Sequence, residues 1–181
     1  MAEEIKIDEV TPDEIKTERN PINLESLGEY LRGEITLQEL HEIHADDMMD
    51  IANAGEMLFA QGQLDQARDI FEGLIALNPH MGRYHTVLGC VYFRQQMVDD
   101  ALNEFNVAIE KNPYDLDAYA NRGEILLTKG SLEEALNDLN KAIELDPEKD
   151  VTKKNPVSMR ALALAMATKE AIEKVQKGEQ L

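Results

Sequence analysis

His41 and His44 stand three residues apart, with Asp46 and Asp47 just behind, four side chains of the kind that ligate metal ions. The His-Glu-x-x-His spacing, which sets two imidazoles on one helical face around a general base, is not met, so no metal is expected there. Cys90 is the single cysteine and cannot form an internal disulfide. His85, five residues earlier, is poorly placed to activate the thiol, and no local signal lowers its pKa, so Cys90 reads as a small packed side chain. His80 and His85 lie on opposite sides of a helix start and read as surface or groove residues. Gly130-Ser131 follows Lys129 in the wrong order for a phosphate-binding loop, and Gly123 is wrongly spaced from it, so no nucleotide is expected. Acid, base and nucleophile do not converge. The expectation is a chain that binds without catalysing and without a cofactor.

The elements that would position these residues are helical. The chain has 181 residues, 43% hydrophobic and 30% charged, with no Trp, five Tyr and four Phe, so its packing must rest on aliphatic side chains and alanine. Thirty-six acidic against eighteen basic residues leave a net charge of −18, a field that repels phosphate backbones and anionic lipid headgroups. Nucleic-acid and membrane partners are therefore not expected. The charge is uneven. Residues 1–50 carry fifteen acids against four bases, residues 51–150 eighteen against eight, and residues 151–181 three against six. The basic end suits the C-terminal dipole of a final helix, with a docking patch for an acidic partner as the alternative. The first residues lack the basic-then-apolar build of a signal peptide, and with no disulfide to form, a cytoplasmic location is expected.

Gly55, Gly89 and Gly123 are spaced by 34 residues, as are Ala67, Ala101 and Ala135, and Pro79, Pro113 and Pro147. Fixed-period self-similarity of this length marks a repeat architecture. In register the units are 48–81, 82–115 and 116–149. Glycine removes Cβ where two helices cross, alanine lets the second helix of a pair approach the first, and proline after Asn or Asp ends the second helix. Within a unit, Leu64, Ala67, Ile70, Phe71, Leu74 and Leu77 form a helical stripe, repeated by Leu102, Phe105, Ala108 and Ile109. Gln61-Gly62-Gln63 and Lys129-Gly130-Ser131 read as tight turns, Gln95-Gln96 as a less favourable one, and Ser131 with Glu134 as a capping box. Each unit is thus a helical hairpin. The pattern resembles the tetratricopeptide repeat, which implies an all-α superhelix of three stacked hairpins with a concave groove.

The flanks read as caps. Residues 1–22 form an acidic, proline-containing tail too poor in apolar residues to order itself. Residues 23–47 form an N-terminal helical region: a short amphipathic helix over 24–32 ends at Gly33, and Thr36 with Glu39 makes a capping box opening a helix through Leu37, Leu40 and Ile43 toward Met48. In 150–181, Asn155-Pro156 starts a closing helix over 156–177.

In arrays of this kind the first helix of each hairpin lines the groove. The inward positions are Met49, Ala52, Asn53, Glu56 and Phe59, then Arg83, Thr86, Val87, Cys90 and Phe93, then Asp117, Ala120, Asn121, Glu124 and Leu127. Under another helix rotation Phe59 and Phe93 would be core. The carboxylate-clamp variety of these repeats grips chaperone C-termini with Lys, Arg and Asn, whereas Ala52, Glu56, Val87, Asp117 and Asn121 stand at those positions here.

The N-terminal flank carries a narrower resemblance. Gly33-Glu-Ile-Thr-Leu-Gln-Glu-Leu-His-Glu-Ile43, then Asp46-Asp-Met-Met-Asp50, Gln61-Gly-Gln-Leu-Asp-Gln-Ala67, Arg83-Tyr84 and Gly123-Glu-Ile-Leu-Leu-Thr-Lys-Gly130 resemble the class II chaperones of bacterial type III secretion, the SycD/LcrH group. The family's several tyrosines on the first groove helix are absent, with Ala52 and Glu56 in place and Phe59 the remaining aromatic. The resemblance implies a cytoplasmic chaperone that binds an extended segment of hydrophobic translocator subunits in its groove, and self-association through residues 24–47. A general repeat adaptor for another complex is the competing expectation.

Overall fold

The structure is a computed structural model that describes residues 24–148, 150 and 153–177. Among them all regular structure is helical: α1 (Leu24–Leu31), α2 (Leu37–Leu40), α3 (Ala45–Ala60), α4 (Leu64–Leu77), α5 (Gly82–Arg94), α6 (Val98–Lys111), α7 (Leu116–Thr128), α8 (Leu132–Leu145) and α9 (Pro156–Gln176). The acidic tail lies outside the described residues. α3 pairs with α4, α5 with α6 and α7 with α8, and each second helix also packs on the next first helix, so α8 leans on α9 as α4 leans on α5. The result is a two-layer stack of hairpins closed by a single helix, the superhelical repeat fold.

The repeated columns are the joints of this stack. A Cβ built on Gly89 would come within 2.8 Å of Phe105 Cε1, and one on Gly55 within 2.8 Å of Phe71 Cε2. Phe71, Phe105 and Leu139 are fully buried there, as are Ala67, Ala101 and Ala135. Glycine in these first helices costs about 0.5–1 kcal/mol of helix propensity relative to alanine, and the gain is an aromatic ring seated against bare backbone. The turns carry the other requirement: Gly62 and Gly130 have φ of +80° and +79°, and in the second hairpin Gln96 adopts φ +65°. That is the strained counterpart of the poor turn the sequence suggests.

Three local expectations are corrected. The helix opening at Leu37 does not run toward Met48. Its capping box forms, Glu39 N donating to Thr36 Oγ1 (3.2 Å) and Thr36 N to Glu39 Oε2 (2.7 Å). Yet α2 stops at Leu40, Glu42 turns to φ +54°, and α3 starts afresh at Ala45. The Ser131–Glu134 box does not form, because Ser131 adopts ψ +66° and its side chain caps no backbone amide. His85 is no surface or groove residue: it is 7% exposed, with Nδ1 2.7 Å from Glu104 Oε2 and Nε2 3.3 Å from Pro79 O. It therefore ties α5 to α6 and to the preceding turn. At the other end, Asn155 caps α9 as its sequence suggests, its Oδ1 accepting from Ser158 N at 2.8 Å.

Candidate binding groove

First helices meet one another along a single inner face, and their side chains join across it in order. Arg83 Nη2 on α5 donates to Glu56 Oε1 on α3 at 2.7 Å. Arg94, also on α5, donates to the Phe59 carbonyl at 2.8 Å and lies 4.8 Å above the Phe59 ring. Between α5 and α7, Asn121 Nδ2 donates to Cys90 Sγ at 3.3 Å, and Thr86 Oγ1 to Asp115 Oδ2 at 2.7 Å. Between α7 and α9, Arg160 Nη2 donates to Asn121 Oδ1 at 2.7 Å and Nη1 lies 3.4 Å from Glu124 Oε2. Helical spacing explains the order: positions 34 residues apart occupy the same level on successive helices, so Glu56, Cys90 and Glu124 form one row and Phe59, Phe93 and Leu127 another.

The sequence-derived positions divide between this face and the core. Met49 (56% exposed) and Asn53 lie open to solvent, and Arg83 is also exposed. Glu56, Phe59, Cys90, Phe93, Asn121, Glu124 and Leu127 are half-buried. Phe93 packs on the cluster around Phe105, and Leu127 on the cluster around Leu139. Ala52 is buried with Met48 and Phe71, Val87 packs against that same cluster, and Thr86 is buried. Arg160 was not among the candidates, although it joins two of them. The ten-residue link from α8 to α9 breaks the 34-residue period, so no column leads to it.

The electrostatics follow from partial burial. Burial pushes the Cys90 thiol up to about 12, with Asp117 adding in the same direction, so the sulfur is a neutral packing atom at physiological pH. Burial, then Asp115, also raise the Asp117 carboxyl above the usual aspartate range, against the pull of Arg83 and Arg160. Among the described residues no cluster of three or more His, Cys, Asp or Glu is arranged to hold a metal ion. No helix of the described residues is long and apolar enough to cross a membrane.

A first-helix layer carrying the mixed side chains, backed by second helices on joints where glycine meets Phe71, Phe105 or Leu139, is the build of a tetratricopeptide-repeat array. Two family models described as tetratricopeptide repeat match residues 58–122 and 116–149, and the chain is a tetratricopeptide-repeat protein. It resembles in fold the class II type III secretion chaperones. A T3SS complex from Aeromonas hydrophila matches with a TM-score of 0.71 at 19% identity, covering 82% of this chain and 98% of that one. The Yersinia enterocolitica type III secretion chaperone SycD, in complex with a peptide of the translocator YopD, matches with a TM-score of 0.63 at 24% identity, over 72% and 98% of the two chains. The first repeat region of Spaghetti (RPAP3), bound to an HSP90 peptide, matches with a TM-score of 0.62 at 23% identity, over 72% and 97%. No curated protein matches the chain in sequence.

Proposed function

We propose that the inner face of α3, α5, α7 and α9 holds an extended segment of a protein partner, and that the partner is a hydrophobic translocator subunit kept soluble in the cytoplasm before type III secretion. The observation that carries this reading is the row of half-buried Phe59, Phe93 and Leu127 along one level of the inner face, with exposed Met49 near the opposite end of α3. Such a row suits alternate side chains of an extended chain. The likeness of fold to SycD, which binds a peptide of YopD, supports the choice of partner class. The net charge of −18 fits the role, since an acidic carrier keeps an apolar client dispersed. A role as an adaptor for HSP90-type C-termini is the second reading, favoured by the likeness to Spaghetti. Against it, Glu56 and Asp117 lie where a terminal carboxylate would have to sit.

Binding without catalysis is part of this reading, because the candidate nucleophile Cys90 is a protonated, hydrogen-bonded thiol. Co-expression with candidate translocators and capture of the complex tests the proposal. Phe59→Asp should abolish capture and Phe93→Asp should do the same, with the helical circular dichroism retained; capture unaffected by both contradicts it.

A further inference from the structure

The charges of the inner face do not cancel in pairs. Arg83 is engaged by Glu56, and Arg160 by Asn121 and Glu124. Asp115 accepts from Thr86 Oγ1 and from Ala118 N, both neutral donors. Asp117 accepts no hydrogen bond among the described residues, although it is half-buried and lies in the field of Arg83, Arg160 and Asp115. Two carboxylates thus share a partly desolvated spot whose nearest cations already have partners. A carboxylate so placed gains more from a charge-assisted bond than one in water, and an ammonium or guanidinium group is the donor that supplies it.

Position on the helix turns this into a spacing. Asp117 stands at the start of α7 and Leu127 near its end, ten residues or about 15 Å apart along the axis. Extended chain advances about 3.3 Å per residue. A segment with an apolar side chain seated at Leu127 therefore reaches Asp117 with a residue about four to six places away.

We infer that the segment held in this groove carries a lysine or arginine that meets Asp117, about four to six residues from the apolar side chain seated at Leu127. This rests on the groove being the binding face, and deepens that reading by naming the chemistry of the ligand. Asp117 acts here as a specificity determinant, while Arg160 is held by Asn121 and Glu124.

The test is to pan randomised peptides of about twelve residues on the full chain and to titrate the recovered consensus peptide by calorimetry. The wild type should enrich a basic residue at that spacing from large apolar ones. Replacing that lysine by norleucine should weaken binding about tenfold, the scale of one lost charge-assisted bond. In Asp117→Asn the basic preference should vanish and the two peptides should bind alike, while thermal stability stays at or above that of the wild type. Apolar peptides enriched without a basic position, or a basic preference that survives Asp117→Asn, would overturn the inference and leave the groove reading in place. Peptides whose binding survives both Phe59→Asp and Phe93→Asp, or no enrichment at all, would overturn both.

Discussion

The two sides of the first-helix layer obey different rules. On the side turned toward α4, α6 and α8, the repeated glycines face fully buried Phe71, Phe105 and Leu139, and a single added carbon at Gly89 would fall within 2.8 Å of Phe105. On the inner side the same helices carry half-buried aromatics, crossed ion pairs and an acid without a hydrogen-bond donor. The first side is close-packed at its glycine joints, and it is there that stability is set. The second has satisfied some of its polar groups and left others open, which a folded chain sustains when another molecule completes them. Residue type follows: on the back of the layer Gly55, Gly89 and Gly123 repeat unchanged, whereas the inner row reads Glu56, Cys90 and Glu124, the two glutamates each held by an arginine.

Substitutions can sharpen this contrast, beginning with the largest effect. Phe105→Ala empties the second joint and should cost about 3–5 kcal/mol in chemical denaturation, the range for truncating a fully buried phenylalanine. Gly89→Ala should cost about 1–3 kcal/mol by overpacking the same ring. Gly73, on the exposed face of α4, meets nothing within 4 Å, so Gly73→Ala should stabilise by about 0.5–1 kcal/mol. Equal and same-signed shifts at Gly89 and Gly73 would mean that the joint is not close-packed. Gln96→Gly relieves a left-handed turn residue and should raise the melting temperature by a few degrees, on the order of 1 kcal/mol.

The smallest effect is a pH dependence from the inner side. Asp117 has a raised folded-state pKa, so between the unfolded and folded values the native state binds more protons, and its contribution to stability falls as pH rises through that window. Asp117→Asn removes that fall. The melting temperature of the variant relative to wild type should therefore increase from about pH 4 to pH 7; a constant difference would show that the carboxyl is not strained by burial.

Much of this back side is legible in the sequence, because one constraint recurs every 34 residues and fixes helix pairing, joints and turns together. The strained turn at Gln96 is legible for the same reason, as the missing glycine in a column that has one on either side. What is not legible depends on contacts between residues with no shared period. His85 finds Glu104 nineteen positions away on another helix, and nothing in the local sequence separates a buried histidine from an exposed one. Arg160 reaches Asn121 and Glu124 across a link longer than those between the hairpins, which shifts α9 out of register. Ser131 has the residue type of a cap and the wrong backbone angle for it, a distinction only the coordinates carry.

Amide hydrogen exchange measured on the free chain and on the chain bound to its recovered partner segment tests the groove most directly. Protection should rise along α3, α5 and α7 and at the start of α9 around Arg160, with the outer faces of α4, α6 and α8 unchanged. Protection gained on those outer faces instead, with the inner rows still exchanging as in the free chain, would contradict the account.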